Sequence, residues 1–355
     1  MALAELEVFQ GPQFLGFVRN VPPPAAYKAA LWLPDKTVFD LEVEYIVGAQ
    51  DRPVMASIIS WDAEAPLGGR PGLGHTIRQE LPPIKRKVKI PEKELIRFLT
   101  PRANTPDKQT SIDFVFNDTV RLIRGIQARV EWMRMQALSE DTLAYDEEGI
   151  TVTIDYGVTA DQQYSMDGGD FSTWWSDVAN ADWVADMQFI CDDIEDRTGF
   201  RPKRFVCAKQ IVRYMMQNAA AKELLYPTPP GRELTMEEVN SLLNLYDLPP
   251  IETYDVDVYR ENADGSVTTL NPLDPKKAVF LPENGAETFL GNTLWGPTAE
   301  SRALIGTPRA SQAPGIYAVV YGQEDPPSEW IKAAAVSVPS MPGANLIGQA
   351  QLLAP

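Results

Sequence analysis

The stretch Ser111–Leu138, SIDFVFNDTVRLIRGIQARVEWMRMQAL, carries the longest regular pattern in the chain. Ile112, Phe116, Val120, Ile123, Ile126, Val130 and Met133 recur three or four residues apart, which places them on one face of a helix. At 1.5 Å per residue this helix is about 40 Å long.

N-terminal to it the pattern is different. Pro101 to Pro106 reads as a linker, and Pro91 to Leu99 as a short helix with proline near its start. Val38 to Val47 (VFDLEVEYIV) alternates apolar and polar residues, the period-two mark of a strand, and Pro53 to Trp61 reads as a second strand. Asp62 to Gly74 then holds four glycines and two prolines, which exclude a helix or a central strand and predict a flexible tip. Thr76 to Ile90 resumes as an extended segment interrupted by Pro82 and Pro83. Together these predict a long hairpin, which is marginal in water by itself and has to lean on something. The first 37 residues, with Pro12, Pro22, Pro23, Pro24, Phe14, Phe17 and Tyr27, read as an extended arm lying along another surface.

C-terminal to the long helix, helices and strands mix. Gly149–Tyr156 (GITVTIDY) is a strand by its β-branched alternation. Asp182 to Arg197 is an amphipathic helix with Trp183, Met187, Ile190, Cys191 and Ile194 inward, and Gly199 stops it. Arg204 to Ala208 is a strand and Gln210 to Asn218 a helix, followed by the proline-rich loop Pro227 to Arg232. Thr235 and Glu238 form a capping box on the helix Met236 to Leu245. Ile251–Arg260 and Ser266–Leu270 flank the turn Asn262–Gly265. Lys277–Leu281 is a strand, and Gly315 to Leu353 is extended and punctuated by Pro326, Pro327, Pro339 and Pro342. The fold class is α+β.

Composition bounds the function. In 355 residues, 44% are apolar and 23% charged, and no apolar run approaches the ~20 residues of a membrane helix. The start, Met1–Leu6, has no basic signal-peptide pattern and reads as cytoplasmic. The net charge of −17 disfavours free DNA or an anionic membrane as a partner over most of the surface. That charge is segregated: Ala137 to Asp196 contains sixteen acidic residues and no Lys or Arg, whereas Thr76 to Lys108 contains nine basic and four acidic ones. Each run reads either as a solvated face or as one of two complementary surfaces between subunits.

The chemistry-bearing residues are sparse. Cys191 and Cys207 read as buried free thiols, the lone His75 excludes sites needing two imidazoles, and no CxxC or HExxH spacing points to zinc. Gly68–Gly74 lacks the Lys-Ser/Thr pair and following helix of a phosphate loop. Asp161–Asp170 (DQQYSMDGGD) does not match a calcium loop and reads as an acidic surface loop. Trp174, Trp175 and Trp183 beside Asp170, Asp177 and Asp182 read as core aromatics near solvated acids rather than a carbohydrate cleft. We expect no catalytic, cofactor or metal site.

The order of elements (arm, long hairpin with a glycine tip, lone long helix, α/β middle, extended return) resembles the Hong Kong 97-type fold of tailed-phage capsid subunits. Arg129–Leu138 followed by Gly149–Tyr156, and Phe280–Gly285 leading to Trp295–Thr298, look like the lambda-type major capsid protein E family. The resemblance runs from about Val38 to Leu353. It implies an N-terminal arm over 1–37, an extended hairpin loop over 38–90 and a peripheral domain over 91–182 whose spine helix spans 111–138. It further implies an axial domain over 183–276, and over 277–355 a return to the peripheral domain with a C-terminal extension. The function implied is self-assembly into hexamers and pentamers, forming an icosahedral head shell around packaged double-stranded DNA.

Inter-subunit contacts are then expected from the hairpin residues Trp61, Leu67, Gly68, Gly69, Arg70, Gly72, Leu73, Arg78, Lys85, Arg86, Lys87 and Lys89. Pro227, Pro229, Pro230 and Arg232 are expected near the capsomer axis. The implied partners are further copies of the chain, a separate scaffolding protein, a portal and, on the outside, a decoration protein as an optional addition. The DNA is enclosed without sequence-specific binding, no membrane is involved, and the virion capsid assembles in the host bacterial cytoplasm. No lysine lies between Asp62 and His75, so a self-made covalent cross-link is not expected. The competing readings are another phage structural protein (tail tube or head completion) and a carboxylate-based hydrolase.

Overall fold

The computed structural model describes residues 12–47, 76–93, 96, 107–147, 150–226, 228, 231–262, 264–285, 288–300, 315–325 and 327–355. The described chain opens with helices α1 (Pro12–Arg19) and α2 (Ala29–Trp32), then strands β1 (Asp35–Thr37), β2 (Glu42–Ile46), β3 (Thr76–Glu80) and β4 (Pro83–Ile90). Helix α3 (Asp107–Ser139) precedes β5 (Thr142–Glu147), β6 (Ile150–Asp155) and β7 (Gln163–Ser165). Next come α4 (Trp183–Thr198), β8 (Arg204–Cys207), α5 (Lys209–Gln217), α6 (Ala219–Leu225) and α7 (Met236–Leu245). Strands β9 (Ile251–Thr253), β10 (Val258–Glu261), β11 (Val267–Leu270), β12 (Lys277–Leu281) and β13 (Asn292–Trp295) follow. The chain closes with β14 (Tyr317–Gln323), β15 (Ser328–Ser340) and β16 (Gly348–Gln351).

Two compact units divide the chain, the first drawn from Met1–Val43, Gln79–Arg134 and Asn292–Ser340, the second from Glu44–Arg78, Met135–Gly291 and Met341–Pro355. In the first unit β15 is the organising strand. It pairs antiparallel with β14, β4 and, at its C-terminal end, β13, while β1 lies parallel to β13. Small residues make this possible: Ala333, Ala334 and Ala335 are fully buried in a strand flanked on both sides. Gly296 belongs to the same economy of space, since a Cβ there would meet Leu81 at 2.9 Å and Val336 at 3.1 Å.

The long helix is present as the apolar spacing requires. Ile123, Ile126, Val130 and Met133 are buried, as are Val115 and Leu122, so the apolar band is wider than the stripe read from the sequence. Part of what widens it is the N-terminal segment. The expected extended arm is corrected here: residues 12–19 and 29–32 are helical and bury Phe14, Val18, Ala29, Trp32 and Leu33 within the chain. Phe14 and Phe17 pack on Phe116 with ring centroids 5.8 and 4.6 Å apart, and Gln127 Nε2 donates to the Val21 carbonyl at 3.0 Å. Proline punctuation hid a helix that begins at Pro12, where a missing N–H costs nothing.

The expected hairpin over 38–90 is also redrawn. β2 pairs with β3, but β4 leaves that ribbon and pairs with β15, from Ile90 opposite Glu329 to Pro83 opposite Val336. The stretch expected at its tip lies outside the described residues.

The second unit is built on the sheet β7-β16-β12-β8-β9. β12 lies at its centre, antiparallel to both β8 and β16. Lys277–Leu281 and Gly348–Gln351 therefore share a sheet with Arg204–Cys207, and the division expected after residue 276 is not where the structure divides. Helix α4 buries Trp183, Met187, Ile190, Cys191 and Ile194 in one core with Phe205, Phe280, Met215 and Leu242. Asp182 caps its start by accepting from the Ala185 N–H at 3.1 Å, and Gly199 ends it at φ 84°.

Hairpins β5–β6 and β10–β11 complete this unit, the latter turning at Gly265 with φ 81°. β5 (TLAYDE) lacks a clear apolar alternation, because among its described side chains Leu143 alone is fully buried.

Helix α7 has the reciprocal cap read from its sequence: the Glu238 N–H donates to Thr235 Oγ1 at 3.3 Å and the Thr235 N–H to Glu238 Oε2 at 2.7 Å. Thr235→Ala is expected to lower stability by about 1 kcal/mol, read as a lower urea midpoint with faster amide exchange confined to residues 236–245.

Candidate inter-subunit surface

Period-two geometry sorts the basic strand β4 into two faces. Ile84, Arg86, Val88 and Ile90 point one way, and Ile90 is buried. The Arg86 side chain reaches along Gly125 of α3, its Cδ 3.9 Å from where a Cβ there would stand. Lys85, Lys87 and Lys89 point the other way and are exposed.

The partner strand β15 presents Trp330 and Lys332 to that same side, since Trp330 lies opposite Lys89 and Lys332 opposite Lys87. Across from them on β14 lies Tyr321, opposite Trp330 and 37% exposed. Lys87 Nζ sits 4.7 Å and Lys89 Nζ 5.5 Å from the Trp330 ring centroid. The indole is held by its Nε1–H, which donates to Gln323 Oε1 at 3.1 Å. The open face of this sheet is thus aromatic and cationic.

Its four lysines are not equivalent. Glu300 accepts from Lys332 at 2.6 Å and pairs with Lys85 at 2.9 Å. Burial pushes the Glu300 carboxyl up, but the bonds from Lys332 and Lys85 outweigh it and bring it down to about 2. A carboxyl whose folded value is depressed stabilises above its unfolded value near 4.5 and loses that contribution as pH falls from there through about 2. Wild type should therefore exceed Glu300→Gln in thermal midpoint at pH 7, and the gap should close between pH 4.5 and 2. Lys87 and Lys89 have no carboxylate partner among the described residues.

The other expected contact residues fall differently. Arg78 pairs with Glu44 across β2 and β3 at 3.2 Å, both side chains exposed, a contact of little energetic weight. Arg232 is engaged by its own chain: its guanidinium donates to both Glu238 oxygens at 2.6 and 2.8 Å, and the Tyr226 hydroxyl donates to the same carboxylate. These bonds, that of Arg232 foremost, hold Glu238 far below the ordinary carboxylate range. Arg232 thus belongs to the cap of α7. Trp61, Leu67, Gly68, Gly69, Arg70, Gly72, Leu73, Pro227, Pro229 and Pro230 lie outside the described residues.

The acidic run separates into neutralised and unpaired parts. On α4, Asp192 and Glu195 are bound by Arg201 at 2.6 and 2.8 Å, and Asp193 lies 3.9 Å from Arg197. On the β5–β6 hairpin, Leu143 and Ile154 face inward while Ala144, Asp146, Thr151, Thr153 and Asp155 are exposed. Asp146 accepts only from Thr151 Oγ1 and Asp155 from the Gly157 N–H, so no cation meets either among the described residues.

Where they are described, the residues weighed for chemistry make local contacts. Trp175 and Trp183 are buried, and Trp175 Nε1 donates to Asp186 Oδ2 at 2.8 Å. Burial raises the Asp186 carboxyl to about 6 against that bond. Asp170 accepts from the Ser165 N–H, Asp177 from Asn180 and Asp182 from Ala185, each closing a local turn or cap. Cys191 and Cys207 are buried free thiols, both pushed up by burial. Among the described residues no helix is long and apolar enough to cross a membrane.

Comparison with known proteins supplies the context. The profile of the family described as phage major capsid protein E matches residues 14–350. A structure described as the capsid protein of a prophage of E. coli CFT073 shares 15% identity at a TM-score of 0.63, covering 99% of each chain. A phage-related protein from Bordetella bronchiseptica RB50 shares 13% identity at a TM-score of 0.58, over 96% of this chain and 97% of that one. Among curated proteins nothing matches.

Proposed function

Since the chain belongs to the phage major capsid protein E family, and so is a shell-forming structural protein of the Hong Kong 97-type fold, we propose that its copies assemble into hexamers and pentamers. These close into the icosahedral head shell of a tailed phage, around packaged double-stranded DNA. The family match over residues 14–350 carries the reading.

Physical features support it. β4 is an edge strand among the described residues and leaves its outer backbone groups and two lysines available to a neighbour. The −17 net charge suits a wall that does not glue itself to the DNA it encloses. The residues 54–75 and 227–232 remain the proposed places of contact around and between capsomers. A scaffolding protein acting in trans, a portal at one vertex and an optional decoration protein are the proposed partners, with assembly in the bacterial cytoplasm. The shell is held without a self-made covalent cross-link.

Negative-stain microscopy of the protein, expressed with and without its neighbouring genes, tests this. Shells or hexameric and pentameric capsomers are expected, dissociating in SDS to a single 39.4 kDa band. A monodisperse monomer under every condition would overturn the proposal.

A further inference from the structure

Strand β6 reads the same in both directions: Ile150-Thr151-Val152-Thr153-Ile154 is a palindrome. An antiparallel neighbour of the same sequence therefore meets it residue for residue. We propose that, in the shell, β6 of one copy pairs antiparallel with β6 of a second copy about a two-fold axis at Val152, joining two ribbons into one four-stranded sheet. This rests on the capsid reading, which supplies the second copy.

The edge is open to such a partner. β5 and β6 form a two-stranded sheet, and among the described residues β6 has no other strand beside it. Their ladder runs from Thr142 opposite Asp155 to Glu147 opposite Ile150, and just beyond it the Tyr156 N–H donates to the Asp141 carbonyl at 3.1 Å. Backbone groups along a strand alternate sides, so those of Ile150, Val152 and Ile154 turn to β5 together with those of Tyr156. The groups of Thr151 and Thr153 turn outward, and both residues are exposed. Lysine and proline are the usual guards of an exposed edge. β6 has neither, and Ile150 to Ile154 are all β-branched.

Register follows from the alternation of side chains. A slip of one residue would bring Thr151 and Thr153 to the side of Ile154, which is buried. With Val152 opposite its own copy, Thr151 stands opposite Thr153 on both sides of the axis, and Ile150 opposite Ile154. Threonine pairs are favourable cross-strand neighbours, and all the outward N–H and C=O groups of Thr151 and Thr153 are then used. The ribbon is acidic, but this register opposes no two carboxylates. Asp155 falls opposite Gly149, and its two copies stand about 20 Å apart along the strands, well beyond the ~8 Å screening length at physiological salt. Asp146 lies on β5, with β6 between it and the second copy.

Symmetry places the contact. Neighbours within a pentamer or hexamer are related by five- or six-fold rotation and cannot pair a strand with itself, whereas a two-fold contact is self-complementary. The β6 pair therefore joins one capsomer to the next.

Disulfide trapping in assembled shells tests the register. Val152→Cys places two thiols across a pair that shares no backbone hydrogen bond, with Cα atoms about 4.5 Å apart and within disulfide reach. Diamide should convert most of the subunit to a band at twice 39.4 kDa in non-reducing SDS gels. Thr151→Cys sets its copies about 8 Å apart and Asp155→Cys about 20 Å, too far to bridge, so both should run as single chains. Cys191 and Cys207 are buried and give no background. Val152→Cys shells that yield only single chains, or equal dimer from all three variants, overturn the pairing and leave the capsid reading standing. Failure of wild-type protein to form any shell removes the capsid reading and the pairing with it.

A second measurement uses Thr153→Pro, which removes an outward N–H and none that bonds to β5, and sets a ring where the second copy's strand would lie. Free capsomers with native circular dichroism should accumulate while closed shells fall at least tenfold. Shells at wild-type yield would overturn the pairing.

Discussion

Replacing Arg134 by methionine is expected to lower the unfolding free energy of the full-length subunit by about 3–5 kcal/mol. Arg134 is the cation of a buried polar cluster in the first unit. Its Nε donates to Thr293 Oγ1 at 2.7 Å, its Nη2 to Asp35, and its Nη1 lies 3.5 Å from Glu131 Oε2. Glu131 is fully buried, and its Oε1 accepts the N–H of Ala29 at the start of α2 at 3.0 Å. Methionine matches the volume but leaves the Glu131 carboxylate in the interior without the guanidinium, and removal of one partner from a buried pair is the costly case.

Adding Glu131→Gln to Arg134→Met should recover part of the loss, because the amide oxygen still accepts from Ala29 and no charge remains to be compensated. Urea midpoints of the two variants against wild type measure this. A single variant within 1 kcal/mol of wild type, or a double variant below the single, would show that the cluster does not carry this weight.

Phe280→Ala should cost about as much, roughly 3–5 kcal/mol, for an apolar reason. Phe280 is fully buried on the central strand of the second unit's sheet, with its ring centroid 4.9 Å from that of Phe205 on β8. On its other flank it lies opposite Gly348 of β16. Backbone hydrogen bonds on both sides fix the strand, so the site cannot collapse around the cavity. Phe280→Leu should recover more than half of the loss. Near-equal midpoints for the alanine and leucine variants would contradict the argument, since they would mean that the pocket closes by itself.

These two residues mark where the sequence can be read and where it cannot. Phe280 was recognisable as part of a strand, because KAVFL is apolar and follows a turn. Nothing local announced that its neighbours would be Phe205 and Gly348, which lie 75 and 68 positions away. The Arg134 cluster is harder still, as Asp35 and Ala29 stand 99 and 102 residues from their partners on α3. On the candidate surface, the lysines of 85–89 were read from composition. The fact that Glu300 neutralises Lys85 while Lys87 and Lys89 turn to Trp330 came from pairing with a strand more than 240 residues later. The resemblance places Arg232 near the capsomer axis, whereas its bond to Glu238 is set by the fold of the residues just before α7.

What the sequence determines by itself is whatever rests on neighbours along the chain. The course of α3 over Ser111–Leu138, the Gly199 stop of α4, the capping box of α7 and the turn at Gly265 all follow from periodicity and side-chain bonds over three to five residues. The segregation of acidic from basic stretches is fixed in the same way. The tertiary structure decides which strands meet: β4 joins β15 instead of closing the hairpin, and β12 lies between β8 and β16. It also turns the N-terminal segment from an arm into two helices packed within the chain. The reason is that strand and helix propensities are local free energies. Partner choice is settled by the burial and hydrogen-bond satisfaction of residues that meet only after the chain has closed large loops.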